Sequence, residues 1–203
     1  MLGQTKIDLV NRCLLAIGEA PIPDDTQLDL VPLGTDVDVA IRTVDKVIRE
    51  VLNKGWYFNT DYDLPLIPDE DNFITMPPNV LRVDFGYTEF RHQYIMRNGK
   101  IYDVFNHTYV INQKLRADVV YWIEVEELSV AAYEYIGARA ARLFQEKVIG
   151  DLEMTKITMQ EELEALTDLQ REQLQVQDYS LVRGSRITNA FLIPGLYKTR
   201  GRR

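Results

Sequence analysis

The stretch Lys54-Gly-Trp-Tyr-Phe-Asn59 separates two regions of the chain that have different hydrophobic periods. Before it, apolar residues recur at helical spacing, whereas from Trp56 to Val125 they tend to alternate with polar residues. Gly55 is a typical helix stop, because glycine adopts the left-handed conformation without a Cβ clash. Trp56 and Phe58 occupy alternate positions, which predicts a strand with both rings on one face. We place a domain junction here, although a core strand directly after a helix explains the same pattern.

Helix-period apolar residues mark four segments, which begin at Thr5, Thr35, Glu127 and Asp151. Thr5 and Thr35 are each followed three residues later by an acid, as at a capped helix start. Only Ile149-Gly150 separates the last two helices, so they should pack antiparallel. Gly137 within the third helix predicts a close helix contact. The residues of the fourth helix predicted to face inward are Leu152, Met159, Leu163, Leu166, Leu169 and Leu174.

Antiparallel strands are predicted between Trp56 and Val125. Asn98-Gly99 joins two alternating segments and favours a type I′ hairpin, because both residues tolerate positive φ. Thr108 to Asn112 is predicted to be another strand. Val119 to Ile123 is apolar on both faces, which indicates an inner strand or an interface strand.

The predicted fold class is α+β. A four-helix bundle domain (residues 1–55 and 126–178) carries an antiparallel β domain (residues 56–125) inserted between helices 2 and 3, and an extended C-terminal tail (179–203) follows. We assign Trp56, Phe58 and Trp122 to the junction and the β-domain core.

The charge of the chain is unevenly distributed. The net charge is −8, but residues 179–203 contain six basic residues and no acid. The other 17 basic residues are set against 31 acidic ones, so residues 1–178 carry −14. A basic segment with an apolar centre is typical of a tail that docks to a partner. Our contact candidates in the tail are Arg183, Arg186, Phe191, Leu192, Tyr197 and Arg200.

The sequence offers little that indicates an enzyme. It lacks the glycine-rich phosphate and dinucleotide motifs and the nucleophile elbow of hydrolases. Cys13, the single cysteine, is predicted to be a buried hydrophobe, and His92 and His107 lack helical zinc-ligand spacing. We therefore expect no cofactor, no metal and no membrane insertion, because no apolar run is long enough to span a bilayer.

Paired carboxylates leave one catalytic alternative open. A glycosidase needs only two carboxylates at a suitable separation, so a glycan hydrolase in the β domain stays possible. The acids that would serve it are Asp61, Asp63, Asp69 and Asp71. A third alternative is nucleic-acid binding through residues 183–203, which would weaken steeply with salt.

Several segments in one order resemble a known family. Leu15-Ala-Ile-Gly-Glu-Ala-Pro-Ile22, Lys54-Gly-Trp-Tyr-Phe-Asn59 and Met76-Pro-Pro-Asn-Val-Leu-Arg-Val83 are similar to segments of the tail tubular protein A family. Tyr135-Ile136, followed by Arg139-Ala-Ala-Arg-Leu-Phe144, is also similar. Proteins of this family are the head-to-tail adaptors of short-tailed bacteriophages. The resemblance spans most of residues 5 to 178, and the basic tail matches least.

The resemblance implies a structural virion protein rather than an enzyme. It implies a ring of twelve copies that joins the portal protein to a tail nozzle protein of the tail tubular protein B type. Such a ring forms part of the DNA ejection channel and passes DNA without sequence-specific binding. The expected location is the head–tail junction of the virion, after synthesis in the host cytoplasm. An acidic body fits a channel that does not retain phosphates, because phosphate affinity is carried mainly by Lys and Arg.

Overall fold

The computed structural model of the chain describes residues 4–86 and 93–182. Within these residues the fold is α+β, with four α-helices and antiparallel sheets. The helices and strands are α1 (Lys6–Ala16), α2 (Asp36–Leu52), β1 (Thr60–Leu66), β2 (Val80–Asp84), β3 (Tyr94–Arg97), β4 (Lys100–Asp103), β5 (Leu115–Tyr121), α3 (Val130–Val148) and α4 (Leu152–Val182). The described residues form two compact units: a helical unit (4–51 and 124–182) and a β unit (52–86 and 93–123).

Side-chain caps fix where the helices begin. The Thr5 hydroxyl accepts a hydrogen bond from the Asp8 amide at 3.1 Å, and the Thr35 hydroxyl accepts one from the Asp38 amide at 3.2 Å. Such bonds satisfy amides that have no partner within the helix. The starts predicted at Thr5 and Thr35 are therefore confirmed. The third helix begins later than predicted, because residues 125–127 form a 3₁₀ turn and Ser129 caps Val130 onward.

α3 and α4 form an antiparallel hairpin, as predicted. Four side-chain hydrogen bonds join this hairpin: Ser129 with Glu172, Arg139 and Arg142 with Glu162, and Thr155 with Gln145. As the bonded residue in α3 lies nearer the C-terminus of α3, its partner in α4 lies nearer the N-terminus of α4. The two helices therefore run antiparallel. Asp151 starts α4 by accepting hydrogen bonds from the Glu153 and Met154 amides.

The core of the helical unit includes buried residues of α2 as well as the contact between α1 and α3. Leu9, Val10 and Cys13 of α1 are fully buried, as is Ala140 of α3. A Cβ on Gly137 would lie 2.8 Å from the Arg12 Nη1 atom, so α3 approaches α1 closely at this glycine. This confirms the close helix contact predicted there, and it confirms Cys13 as a buried residue.

The inward face predicted for α4 is largely wrong. Met159 and Leu163 are 63% and 62% exposed, and Leu174 is also exposed, whereas Leu169 is buried as predicted. Leu166 is half-buried, and the side chain of Leu152 lies outside the described residues. The physical reason is that Glu162 is buried against two arginines of α3. This contact sets the rotation of α4 and turns Met159 and Leu163 toward solvent.

The β unit contains a three-stranded sheet and a separate hairpin. β5 is the central strand and pairs antiparallel with both β1 and β2, with Val119 opposite Asp61 and Val83. Val119 and Val120 are buried, which confirms an inner strand and makes an interface role for these two residues wrong. The residues that form the core of this unit are Leu66, Ile74, Met76, Val80, Tyr94, Ile101, Ile111, Leu115, Ala117 and Val119.

The β3–β4 hairpin turns at Asn98-Gly99, where φ is +53° and +69°. This confirms the predicted type I′ turn. The strand predicted from Thr108 to Asn112 is wrong, since only Thr108 makes an isolated bridge, to Asp103. The buried Asp103 carboxylate accepts hydrogen bonds from the Phe105 and Asn106 amides and so holds the chain in a turn before any strand could form.

Candidate assembly surfaces

The stretch from Trp56 to Asn59 is a turn and not the predicted strand. The Asn59 amide donates to the Trp56 carbonyl at 3.1 Å, and β1 begins only at Thr60. Trp56 is 1% exposed and stacks on Phe58 with ring centroids 6.5 Å apart. The two rings thus lie together, as the alternation indicated, but a turn rather than a strand places them.

Asn59 holds this turn through its side chain. Its Oδ1 atom accepts from the Trp56 amide at 2.9 Å, and its Nδ2 atom donates to the carbonyls of Leu52 and Tyr121 at 2.9 and 2.8 Å. The residue is 3% exposed, so these bonds are made away from water. The Asn59 side chain therefore links Leu52 and Trp56, at the start of the β unit, to Tyr121, at the end of the central strand β5. No local pattern indicates this role, because Tyr121 is 62 residues away.

Gly55 is required at the start of this turn. Its φ is +78°, and a Cβ there would meet Val120 Cγ2 at 3.0 Å and the Thr60 hydroxyl at 3.2 Å. A side chain would thus suffer both backbone strain and crowding. Trp122, the third residue assigned to the junction, is half-buried just past the end of β5, and its amide donates to the Asn79 carbonyl at 2.7 Å.

Three of the four carboxylates considered for glycan hydrolysis have structural contacts, and Asp61 makes its contact with the Tyr121 side chain. Asp63 forms an ion pair with Arg116, and its amide donates to Asp118. Asp69 accepts hydrogen bonds from the Asp71 and Phe73 amides at 3.1 and 2.7 Å, which closes a loop. These contacts favour a role in holding strands and loops in place.

Among the residues that the structure describes, no group of three or more His, Cys, Asp or Glu side chains is arranged to hold a metal ion. Residues 4–86 and 93–182 also contain no helix that is long and apolar enough to cross a membrane. His107 lies exposed in a turn with φ +53°, and His92 is outside the described residues.

A polar cluster joins three helices of the helical unit. Glu162 of α4 forms ion pairs with Arg139 at 2.7 Å and with Arg142, and Arg139 also pairs with Glu50 of α2 at 3.2 Å. Burial alone would lower the pKa of Arg139, but hydrogen bonds to Glu162 and Glu50 outweigh it and raise that pKa. The guanidinium therefore stays charged. We call Glu50, Arg139, Arg142 and Glu162 the arginine cluster. Sequence reasoning missed Glu162, which looked like one more surface acid.

The outward side of α4 is partly apolar and partly acidic. Met159 and Leu163 are four residues apart and therefore lie on one side of the helix. A different side carries Glu161, Glu164, Asp168 and Glu172, which line a groove with Val130 and Glu134 of α3. Exposed apolar side chains grouped on a helix are typical of surfaces that contact another protein.

The six tail residues named as contact candidates lie outside the described residues. The structure therefore leaves Arg183, Arg186, Phe191, Leu192, Tyr197 and Arg200 as a prediction.

Comparison with known proteins identifies the family. A family model described as Tube, tail tubular protein, matches residues 7–179. No curated protein matches the chain. The matched range contains the whole β unit and all of the helical unit except residues 4–6 and 180–182. The chain belongs to the tail tubular protein family.

Proposed function

We propose that this tail tubular protein is the head-to-tail adaptor of a short-tailed bacteriophage. Membership of the family supports a structural role in the virion tail. We propose further that twelve copies form a ring that joins the portal protein to a nozzle protein of the tail tubular protein B type. The ring forms part of the channel through which DNA is ejected, and it acts without catalysis.

The observation that carries this proposal is the exposed apolar surface of α4. Met159 and Leu163 are large, apolar and more than 60% exposed on a 31-residue helix. A closed ring needs a heterologous contact, in which one surface of each copy meets a different surface of the next. We infer that Met159 and Leu163 lie in that contact. We also infer that the helices form a bundle domain (1–55 and 126–178) with the β domain (56–125) inserted.

The experiment pairs two double variants of the full chain. Met159→Ser with Leu163→Ser should reduce ring formation on isolated portal rings at least tenfold, while the monomer stays folded. Leu30→Ser with Leu33→Ser changes two leucines that are 74% and 80% exposed elsewhere in the helical unit, and it should assemble normally. Equal assembly of both variants would remove α4 from the proposed contact.

The basic tail is proposed to contact the portal. The arginines suit carboxylate or backbone partners, and the apolar residues suit anchoring pockets.

The acids of the β domain serve as a check on the hydrolase alternative. Changing Asp61, Asp63, Asp69 and Asp71 to Asn should leave portal assembly largely intact. A measured glycan hydrolysis that this variant loses would contradict the non-catalytic proposal.

A further inference from the structure

The turn between β3 and β4 brings together a side-chain amide and a backbone nitrogen that are able to react with each other. Asn98 and Gly99 are both exposed, and apart from their chain neighbours no atom lies within 4 Å of the position that a Cβ on Gly99 would occupy. Asn98 is the only asparagine of the chain that glycine follows. The glycine has no side chain to shield its backbone nitrogen, so that nitrogen is the least hindered of those that follow an asparagine.

The reaction open to this pair is the loss of ammonia from Asn98. Once a base has removed the Gly99 amide proton, the Gly99 nitrogen attacks Cγ of Asn98. The N–Cγ bond forms, the bond from Cγ to Nδ2 breaks, and ammonia leaves with a proton, which gives a succinimide ring. Water then opens the ring. Opening at Cγ gives aspartate, whereas opening at the main-chain carbonyl gives isoaspartate, in which the chain continues through the side chain.

The native turn opposes this reaction. Asn98 has φ +53° and Gly99 has φ +69°, as a type I′ turn requires. In that turn the Asn98 Cβ and the Gly99 nitrogen lie on nearly opposite sides of the bond between Cα and the carbonyl carbon, whereas ring closure needs both on the same side. Arg97 pairs with Lys100, and the Met76 amide donates to the Gly99 carbonyl at 2.8 Å, so the turn is held on both sides. Attack on Cγ therefore requires the hairpin to open.

Isoaspartate prevents the native turn from closing again. It adds one carbon atom to the main chain at the first turn position, so the two strands no longer match across a two-residue turn. The hydrogen bonds that depend on this register include the one from the Ile101 amide to the Ile74 carbonyl at 2.9 Å. Ile74, Met76 and Ile101 belong to the buried core of the β unit. The modification therefore weakens the contact between the hairpin and that core.

We propose that Asn98-Gly99 is a site of covalent self-modification whose rate is set by opening of the β3–β4 hairpin. The closed hairpin preserves the asparagine, and each opening allows a loss of ammonia that closing cannot reverse. The reaction consumes water and needs no partner protein. This inference concerns the β unit alone and does not depend on the adaptor ring.

The first experiment compares the folded full-length chain with the same chain in urea, both in ¹⁸O-labelled water at the same mildly alkaline pH. Peptide mass spectrometry detects each amide that becomes an acid, because the new carboxylate carries ¹⁸O. In urea, Asn98 should react faster than Asn53 and Asn112, which are also exposed but are followed by larger residues. In the folded chain, the reaction at Asn98 should be at least about tenfold slower, because it requires opening.

Either of two results in this experiment would overturn the proposal. One is an equal rate at Asn98 in the folded chain and in urea, since the turn would then give no protection. The other is a rate at Asn98 in urea that is no higher than the rate at Asn53, since Gly99 would then give no advantage.

A second experiment changes the stability of the hairpin with matched truncations. Ile101→Ala removes side-chain atoms from a fully buried residue of β4, and Ile67→Ala removes the same atoms from a residue of the β unit that is 68% exposed. In the folded state, Ile101→Ala should modify Asn98 about tenfold faster than the unchanged chain, because lost core packing favours opening. Ile67→Ala should react at the unchanged rate.

Ile101→Val is a smaller truncation at the same position, and it should give an intermediate rate. It also keeps the test available if circular dichroism shows that Ile101→Ala does not fold. Equal rates at Asn98 in the Ile101 and Ile67 variants would overturn control by hairpin opening.

Discussion

Replacing Asn59 with alanine removes three hydrogen bonds from a residue that is 3% exposed. The Trp56 amide then loses the Asn59 acceptor, and the carbonyls of Leu52 and Tyr121 lose the Asn59 donor, all away from water. We expect the free energy of unfolding of the β unit to fall by about 3 kcal/mol. Urea unfolding followed by tryptophan fluorescence measures this directly, because Trp56 and Trp122 are the only tryptophans of the chain and both lie in this unit.

The matched control is Asn79→Ala. The Asn79 side chain is exposed and makes one long bond, to the Trp122 carbonyl at 3.5 Å. Its loss should cost about 0.5 kcal/mol or less. Similar losses for the two alanine variants would contradict the role assigned to Asn59.

Cys13 gives a prediction about pH. Burial raises the pKa of its thiol from 9.0 to about 12. The folded chain therefore keeps the proton between pH 9 and pH 12, where the unfolded chain releases it. This raised pKa means that the free energy of unfolding declines as pH rises through that window.

The burial of Cys13 also predicts slow chemical labelling. At pH 8, a thiol reagent should label the native chain more than about a thousandfold more slowly than the chain in urea, because labelling requires the helical unit to open. Labelling at the unfolded rate would contradict the burial of Cys13.

Single residues also show where sequence reasoning reaches its limit. Asn98-Gly99 was predicted correctly because a two-residue turn depends on the backbone preferences of those two residues alone. Asn59 was misread as a strand residue because its role depends on Tyr121, far away in sequence. A short-range pattern carries no information about such a partner.

At the scale of elements, the arginine cluster is the main polar contact between α4 and its neighbours. In Glu162→Gln, Arg139 and Arg142 lose a carboxylate that is only 12% exposed, although each keeps one other acidic partner. We expect the opening free energy of α4 to fall by about 2 kcal/mol. Amide hydrogen exchange between residues 153 and 176 should then be about thirtyfold faster.

Glu161→Gln is the natural control, because the neighbouring residue is exposed and its change removes the same charge. It should leave exchange in α4 nearly unchanged. If both variants exchange equally fast, the arginine cluster does not hold α4 in place.

The helix ends were predictable from sequence, whereas the orientation of α4 was not. Thr5 and Asp151 cap helices through bonds to residues two or three positions later, so the signal is local. The rotation of α4 depends instead on Glu162 meeting Arg139 and Arg142, twenty or more residues earlier. The ion pairs of the buried Glu162 carboxylate stabilise this rotation of α4 by more than the exposure of Met159 and Leu163 costs.

At the scale of the whole molecule, deletion of the tail tests the proposed binding to the portal. Deleting residues 183–203 should abolish binding to portal rings, because the proposed arginine and apolar contacts are lost together. The helical unit should stay folded, because its core residues, among those that the structure describes, all precede residue 183. Far-UV circular dichroism checks the fold, and a pull-down with portal rings measures binding. Unchanged portal affinity in the truncated chain would rule out the docking role of the tail.

We propose that this tail tubular protein forms an adaptor ring on the portal. The most direct test is the native mass of the purified chain, alone and after mixing with detergent-free portal rings. We predict a 23.5 kDa monomer that becomes a defined complex of twelve copies only on the portal. A chain that remains a monomer with portal rings in every buffer would contradict the proposed adaptor ring.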